Sequence, residues 1–207
     1  MTISYPLALP SATGFKSLVV TQDANVALTE SPWAYNQQTQ QNQGQRWMFD
    51  VQLPIMTRAN AMIWQAFFLS LNGRQGTFTM GDPANTAPQG IGTGTALVNG
   101  ASQAGQSLIT DGWTAGQTGI LKAGDWLQLG TGLTSRLYRQ LVDVNSDGSG
   151  NATLTLWPNV ALGNSPADNA PITVQNTVGL FRLMDVVPFS VDNATMYSHN
   201  FKAQSVA

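Results

Sequence analysis

The stretch Leu121–Pro158 decides the fold: it contains LKAGDWLQLG (121–130), RLYRQLVDV (136–144) and ATLTLWP (152–158). Apolar residues alternate with polar ones in each run, and Gly, Asn, Asp and Ser separate the runs, which is typical of an antiparallel meander. Gly148 and Gly150 can adopt the positive φ that a tight turn requires. Pro158 has no N–H to donate, so we expect the ladder to end there. The stretch predicts three consecutive strands of a closed β-structure.

Composition narrows the class of protein. Charged residues form only 10% of the 207-residue chain, compared with about 25% in an average soluble domain. A hydrophobic fraction of 43% predicts a folded core rather than disorder. A surface with few charges repels its neighbours weakly, which suits a subunit of an assembly. The net charge of −2 argues against general nucleic-acid binding, which requires a basic face.

Several targeting and covalent features are missing from the sequence. Cysteine is absent, so we expect no disulfide framework, thiolate metal site or cysteine nucleophile. The N-terminus has no basic segment followed by an apolar one, and no apolar run approaches a membrane span. We therefore expect a protein that is made in a cytoplasm, stays soluble there and needs no cofactor.

Residues 57–71 form the only convincing helix of the sequence. Thr57 can act as the N-cap, and Asn72-Gly73 supplies a C-terminal stop. The main apolar arc contains Ile63, Trp64, Phe67, Phe68 and Leu71. Met62 and Leu69 lie on the other side, so the helix is apolar nearly all round and should be buried on more than one face. Met62, Trp64 and Leu69 are candidate interface residues, covered either by a loop of the same chain or by another subunit.

The remaining elements are mostly strands. Residues 15–21 and 26–28 predict two strands joined by a turn at 22–25, and Arg46 to Leu53 predicts a strand with one apolar face. The tract 36–45 is almost entirely Gln and Asn. Its composition favours a solvated loop, with a loop that orders against a neighbouring subunit as the alternative.

Composition changes at 81–85 and changes back near 175. The segment between is rich in Gly and Thr with short strands, whereas the apolar strands after it are too few to form a core alone. We therefore predict a β-sandwich with one α-helix, formed by 1–85 together with 176–207. Residues 86–175 would be a small inserted β-barrel, separable from the sandwich, with its two ends close together in space.

Candidate chemistry is weak throughout the chain. Asp143, Asn145, Asp147 and Gly148 match the start of a calcium loop, but Leu154 stands where that loop needs a bidentate Glu. A β-turn explains the same letters. The segment 90–95 lacks the Lys-Ser/Thr and the helix of a phosphate loop.

Catalytic sets are equally incomplete. His199 is the single histidine, and a triad would need Asp185 or Asp192 beside it, but no G-x-S-x-G elbow presents a serine. A carboxylate pair for sugar hydrolysis could be drawn from four acids, yet each of the four stands in a turn context: Asp111, Asp125, Asp143 and Asp147. We therefore predict that the chain is not an enzyme. Trp113, Trp126 and Tyr138 could form a platform for a sugar ring, or could pack into the barrel core.

Three segments resemble a known family. FFLSLNGRQGTF (67–78), with FRL (181–183) and YSHNF (197–201), resembles the ring-forming domain of siphophage distal tail proteins. The stretch 121–158 is similar to β-modules of phage tail-tip proteins. Together these segments cover about half of the chain.

The resemblance implies a β-sandwich with one helix, assembled as a hexameric ring between the tail tube and the tail tip. It also implies an inserted barrel of the oligosaccharide- or oligonucleotide-binding (OB) type that projects outward, and it supplies no catalytic residues. Expected partners are copies of the chain itself, the tail tube protein and tail-tip hub or fibre proteins, within the virion. A carbohydrate-binding module of the tail tip, with a host-surface glycan as ligand, is the alternative function.

Overall fold

A computed structural model of the chain describes residues 3–191 and 196–206. These residues are mainly β, with one α-helix and two six-stranded sheets, which confirms the predicted class. The helix is α1 (Arg58–Ser70). The strands are β1 (Leu7–Ala8), β2 (Ser17–Glu30), β3 (Gln37–Gln52), β4 (Phe78–Met80), β5 (Gly94–Val98), β6 (Gly105–Trp113), β7 (Trp126–Leu129), β8 (Arg136–Gln140), β9 (Ala152–Val160), β10 (Ile172–Thr173), β11 (Gly179–Leu183), β12 (Ser190–Val191), β13 (Tyr197–Ser198) and β14 (Asn200–Ser205).

The first sheet has the order β1-β4-β11-β14-β3-β2. Strands β11 and β14 lie between β4 and β3, so the C-terminal strands pair with the N-terminal part as expected. Trp47, Phe49 and Val51 alternate along β3 and are all buried, which confirms the predicted apolar face. Helix α1 covers one part of this face, where Phe67 packs edge-on against Phe78 at 5.6 Å between ring centroids.

The helix begins and ends where the sequence indicates. Thr57 occupies the N-cap position, although its side chain makes no capping hydrogen bond. Asn72 and Gly73 both have positive φ, at 48° and 65°, which stops the helix after Leu71. Trp64, Phe67 and Phe68 are buried against the sheet.

The second sheet has the order β10-β7-β8-β9-β6-β5. Its edges approach each other, because the Val98 amide donates to the Ala170 carbonyl at 3.0 Å and the Asn169 amide donates to the Val98 carbonyl at 2.8 Å. The sheet is therefore nearly a closed barrel. The meander β7-β8-β9 is confirmed by its antiparallel register, with Trp126 opposite Arg139 and Arg139 opposite Trp157.

Two details of the meander differ from the prediction. Gly150 has φ of 80°, but Gly148 does not have a positive φ. Pro158 does not end the strand, because β9 continues to Val160, which pairs with Gly105. The register between β9 and β6 is irregular from Thr155 to Val160. Pro158 lies in this irregular part, where no ladder N–H is required of it.

The barrel packs its outer side against the first sheet. Trp126 and Leu137 belong to the same buried cluster as Trp47 and Phe49, and the partly buried Trp157 packs against it; a separate cluster lies inside the barrel. Trp47 contacts Trp126 and Trp157 edge-on, at 4.8 and 4.2 Å between ring centroids, and its indole N–H donates to the Leu137 carbonyl at 3.0 Å. One face of the first sheet is thus covered by α1 and by the barrel together.

The two connections between the sheets lie side by side. The Asn176 amide donates to the Thr86 carbonyl at 2.7 Å. Gly81 lies so close to Thr177 that a Cβ would meet its carbonyl oxygen at 1.9 Å. The adjacency is what an inserted segment requires, and all strands of the second sheet lie between Gly94 and Thr173. The division into 86–175 and 1–85 with 176–207 stays a prediction.

The polar tract is a strand and not a loop. Residues 37–45 belong to β3, which pairs with a continuous β2 from Ser17 to Glu30. The turn predicted at 22–25 is also wrong, since this segment holds a register shift between Ala24 and Val26. Backbone pairing across a hairpin explains both errors, because it needs no apolar alternation in the side chains.

Candidate functional site

The predicted aromatic platform is not a surface. Trp113 and Tyr138 are buried inside the barrel, and Trp126 is buried between the barrel and the first sheet. Burial raises the pKa of Tyr138. A sugar ring needs an open aromatic face, so the structure corrects the glycan-contact hypothesis for these three residues in favour of packing.

The predicted interface helix is only partly available to a partner. Trp64 is 0% exposed and donates its indole N–H to the Thr13 hydroxyl at 3.0 Å, so it belongs to the chain's own core. Met62 and Leu69 are exposed, as is Ile63, which the prediction placed on the buried arc. The outward side of α1 is therefore apolar and uncovered in the single chain.

The residues that match the start of a calcium loop form hydrogen bonds within their own turn and with residues 119–123. Asp147 accepts hydrogen bonds from the amides of Ser149 and Asn151, both at 2.8 Å, and from the Asn151 side chain at 2.9 Å. The Asn151 side chain and these amides hold the pKa of Asp147 below its usual value. Asp143 accepts from the Ala123 amide and from Lys122, which lower its pKa likewise. The turn interpretation accounts for Asp147, whereas Asp143 binds residues 122–123 of another segment.

Asp125 is a buried structural acid. Its carboxylate accepts three backbone N–H groups: Gln89 at 2.7 Å, Gly90 at 3.0 Å and Lys122 at 2.7 Å. These bonds fix the glycine-rich segment 89–90 against the start of β7. Asp125, one of the four acids considered for sugar hydrolysis, thus has both carboxylate oxygens bound by backbone N–H groups.

Asp125→Asn should destabilise the chain by about 1–3 kcal/mol, because one carboxylate oxygen becomes an NH2 that faces backbone donors. Urea unfolding followed by circular dichroism would measure the loss. Asp111→Asn is the matched control, since Asp111 is only half-buried, and it should change the free energy of unfolding by less than about 0.5 kcal/mol. Equal effects of the two substitutions would contradict the assigned role of Asp125.

His199 is a core residue. Its side chain is buried between the rings of Phe68 and Phe189, and Nδ1 has no hydrogen-bond partner among the described residues. Asp185, one acid proposed for a triad, pairs with Arg74 at 3.1 Å, and Asp192 lies outside the described residues. Burial lowers the pKa of His199, an effect that the Ser198 backbone only partly offsets.

The lowered pKa predicts a stability that depends on pH. In the unfolded chain the imidazole titrates near pH 6.5, so just below this pH the unfolded state binds more protons than the folded state. The free energy of unfolding should therefore fall as pH drops from about 7 toward 5.5. His199→Phe should remove this slope, as measured by urea unfolding across that range. The lowered pKa values of Asp143 and Asp147 move their titration further from this window, toward more acidic pH. An identical slope in both proteins would refute the assignment.

No group of three or more His, Asp or Glu side chains within residues 3–191 and 196–206 is placed to hold a metal ion. Over the same ranges, no helix has the length and apolar character needed to cross a membrane. The surfaces that stand out are instead an exposed hairpin and an apolar pocket.

The hairpin extends beyond the first sheet as an arm, defined here as residues 24–44. All of its residues are exposed except Ser31, which is half-buried, and it contains a single charged residue, Glu30. At about 3.4 Å per residue, the arm reaches about 30 Å from Ala24 to its tip. The tip is closed by hydrogen bonds between Ser31 and Tyr35 and between Ser31 and Asn36, both 2.9 Å. Trp33 is 93% exposed and Tyr35 is also exposed.

An apolar end lies at the opposite side of the first sheet. Strand β3 runs from the arm to Gln52, and beyond it Leu53 donates to the His199 carbonyl at 3.0 Å. At this end a pocket of about 200 Å³ opens between α1 and the segment after β11, lined by Phe68, Leu69, Asn72, Val186 and Phe189 among others. Leu69 is 70% exposed and Val186 is 87% exposed.

No protein-family model matches the chain, and no curated protein matches it. The sequence analysis did not predict the arm, although Trp33 and Tyr35 follow closely after Pro32, beside a tract without charge, and are a signal for an exposed recognition tip.

Proposed function

We propose that this chain is a structural subunit of a long non-contractile phage tail. Six copies would form a ring that joins the tail tube to the tail tip, in contact with the tube protein and with tail-tip hub or fibre proteins. The observation that carries the proposal is the pair of uncovered surfaces, the arm and the apolar end, at opposite ends of one sheet.

Surfaces at opposite ends of a subunit favour head-to-tail association. A contact between two different patches repeats from copy to copy, and it closes into a ring where the rotation permits. The low charge of the chain supports close packing of identical copies, since like charges would otherwise face each other. The proposal includes no catalytic role.

The finer fold assignments belong to the same proposal. The ring-forming unit would be a β-sandwich of 1–85 with 176–207, and residues 86–175 would be an OB-like barrel. The nearly closed second sheet supports the barrel, and the adjacent connections near Thr86 and Asn176 support an insertion. The carbohydrate-binding alternative loses its main support, because the aromatic residues on which it rested are buried.

Electron cryomicroscopy of the particles that contain this chain tests the proposal. We expect a single six-fold layer between the tube and the tip, with the arm of each copy directed at a neighbouring subunit. A position in the capsid shell, or in a tail layer without rotational symmetry, would overturn it. Antibody labelling of the exposed turn at 147–149 would locate the chain independently of the map.

A further inference from the structure

The arm tip and the apolar pocket of one chain cannot meet. The part of β3 inside the sheet, from Arg46 to Gln52, spans about 20 Å, and the arm adds about 30 Å in the opposite direction from the pocket. The tip and the pocket are therefore separated by most of the length of the molecule. A contact between them must be intermolecular.

The two surfaces match in chemistry and size. Trp33 offers a large, nearly fully exposed ring, and large aromatic residues are enriched among the residues that contribute most to binding. The pocket of about 200 Å³ is of the order of one such side chain, and its walls include Phe68, Leu69 and Phe189. The Asn72 side chain at its edge donates to Gln75 and is thus satisfied without a partner.

We propose that Trp33 of one copy inserts into the pocket bordered by Phe68, Leu69, Val186 and Phe189 of a second copy. The inference deepens the proposed ring function and rests on it for the number of copies, but the contact itself is defined by this chain alone. The insertion gives the tip of the arm, where only two strands pair, a surface to pack against.

A second copy of the chain is the occupant that these two surfaces favour. One chain presents both halves of the contact, so the same pair of surfaces can repeat from copy to copy. Charge does not oppose the approach, because the arm carries only Glu30, whose carboxylate accepts from Gln37 at 2.6 Å. At the pocket, Arg74 and Asp185 neutralise each other at 3.1 Å. Among the residues that the structure describes, neither surface selects a charged partner of another kind.

Disulfide trapping tests the contact directly, since the natural chain has no cysteine and two introduced thiols are the only ones present. Ala34→Cys marks the tip, Val186→Cys marks the pocket, and Ile109→Cys marks an exposed site on the barrel. Mixing the Ala34→Cys and Val186→Cys proteins at high concentration under mild oxidation should give at least about tenfold more cross-linked dimer than mixing Ala34→Cys with Ile109→Cys. Equal yields would overturn the proposal.

Sedimentation of the full-length protein supplies the second measurement. Trp33→Ala should weaken self-association at least about tenfold, whereas Leu162→Ala, another exposed apolar truncation, should leave it unchanged. Unaltered association of Trp33→Ala, or absence of association in the natural chain, would overturn the contact. A specific cross-link in a protein that occurs in no tail ring would refute the proposed function and leave the contact standing. A tail ring that contains this chain but shows no cross-link would refute the contact and leave the proposed function standing.

Discussion

Trp126→Ala is expected to lower the free energy of unfolding by about 3–5 kcal/mol, the typical cost of deleting a large buried aromatic side chain. Trp126 is only 3% exposed, its ring meets Trp47 at 4.8 Å, and the Arg139 guanidinium lies 4.7 Å over it. The substitution removes one of the contacts between the two sheets as well as the buried area, whereas the contacts of Trp47 with Trp157 and Leu137 remain. Denaturant unfolding monitored by circular dichroism would measure the effect.

Trp33→Ala provides the matched control for this loss. It deletes the same side chain at a position that is 93% exposed, so the free energy of unfolding should change by less than about 0.5 kcal/mol. If the two substitutions were equally mild, Trp126 would not hold the sheets together. The control also separates folding from association, because only Trp33 is expected to matter for self-association.

Replacement of residues 86–175 by a short Gly-Ser linker is expected to abolish cooperative unfolding, or to lower the melting temperature strongly. The adjacent ends near Thr86 and Asn176 make the linker itself inexpensive, at a few kcal/mol or less. Removal of the barrel, however, uncovers Trp47 and the neighbouring apolar face, at about 1.5–3 kcal/mol for each large side chain exposed. A sum of several such terms is comparable to the total stability of a typical domain.

The shared cluster therefore argues against a barrel that can be removed without loss of the fold. The proposed domain boundaries, 86–175 and 1–85 with 176–207, are unaffected by this argument. Co-expression of the trimmed chain with residues 86–175 as a separate fragment is the informative comparison, because the fragment can restore the covering side chains. We expect heat denaturation to become cooperative only in the mixture. A trimmed chain that melts sharply by itself, within a few degrees of the full-length protein, would show that the shared cluster contributes little.

The elements that the sequence predicts well are those with a strong periodic pattern. Alternation over 126–129, 136–140 and 152–157 predicts the meander, and the arc from Trp64 to Leu71 followed by Asn72-Gly73 predicts the helix. In the helix and in β9 side-chain burial repeats with the period of the backbone, so the pattern reports the structure directly, whereas all four residues of β7 are buried. The strand Arg46 to Leu53 follows the same logic.

The arm and the shared cluster could not be predicted in this way. Residues 37–45 have no buried face, so only backbone pairing with β2 makes them a strand, and composition does not reveal a pairing partner. Trp113, Trp126 and Trp157 appear alike in the sequence, yet Trp113 lies inside the barrel while the other two pack against the first sheet. Which face of a barrel is covered depends on its placement beside a second sheet, which is a tertiary property.

The composition of the arm also determines which proteases can cut it. No Lys or Arg occurs between Lys16 and Arg46, so the most exposed segment of the described chain contains no cleavage site for trypsin-like enzymes. Exposed projections are ordinarily the first places where a folded protein is nicked. Chymotrypsin-like enzymes, by contrast, find Trp33 and Tyr35 at the tip, so cleavage there reports whether the tip is covered. The two enzyme classes thus distinguish a free subunit from an assembled one without any substitution in the chain.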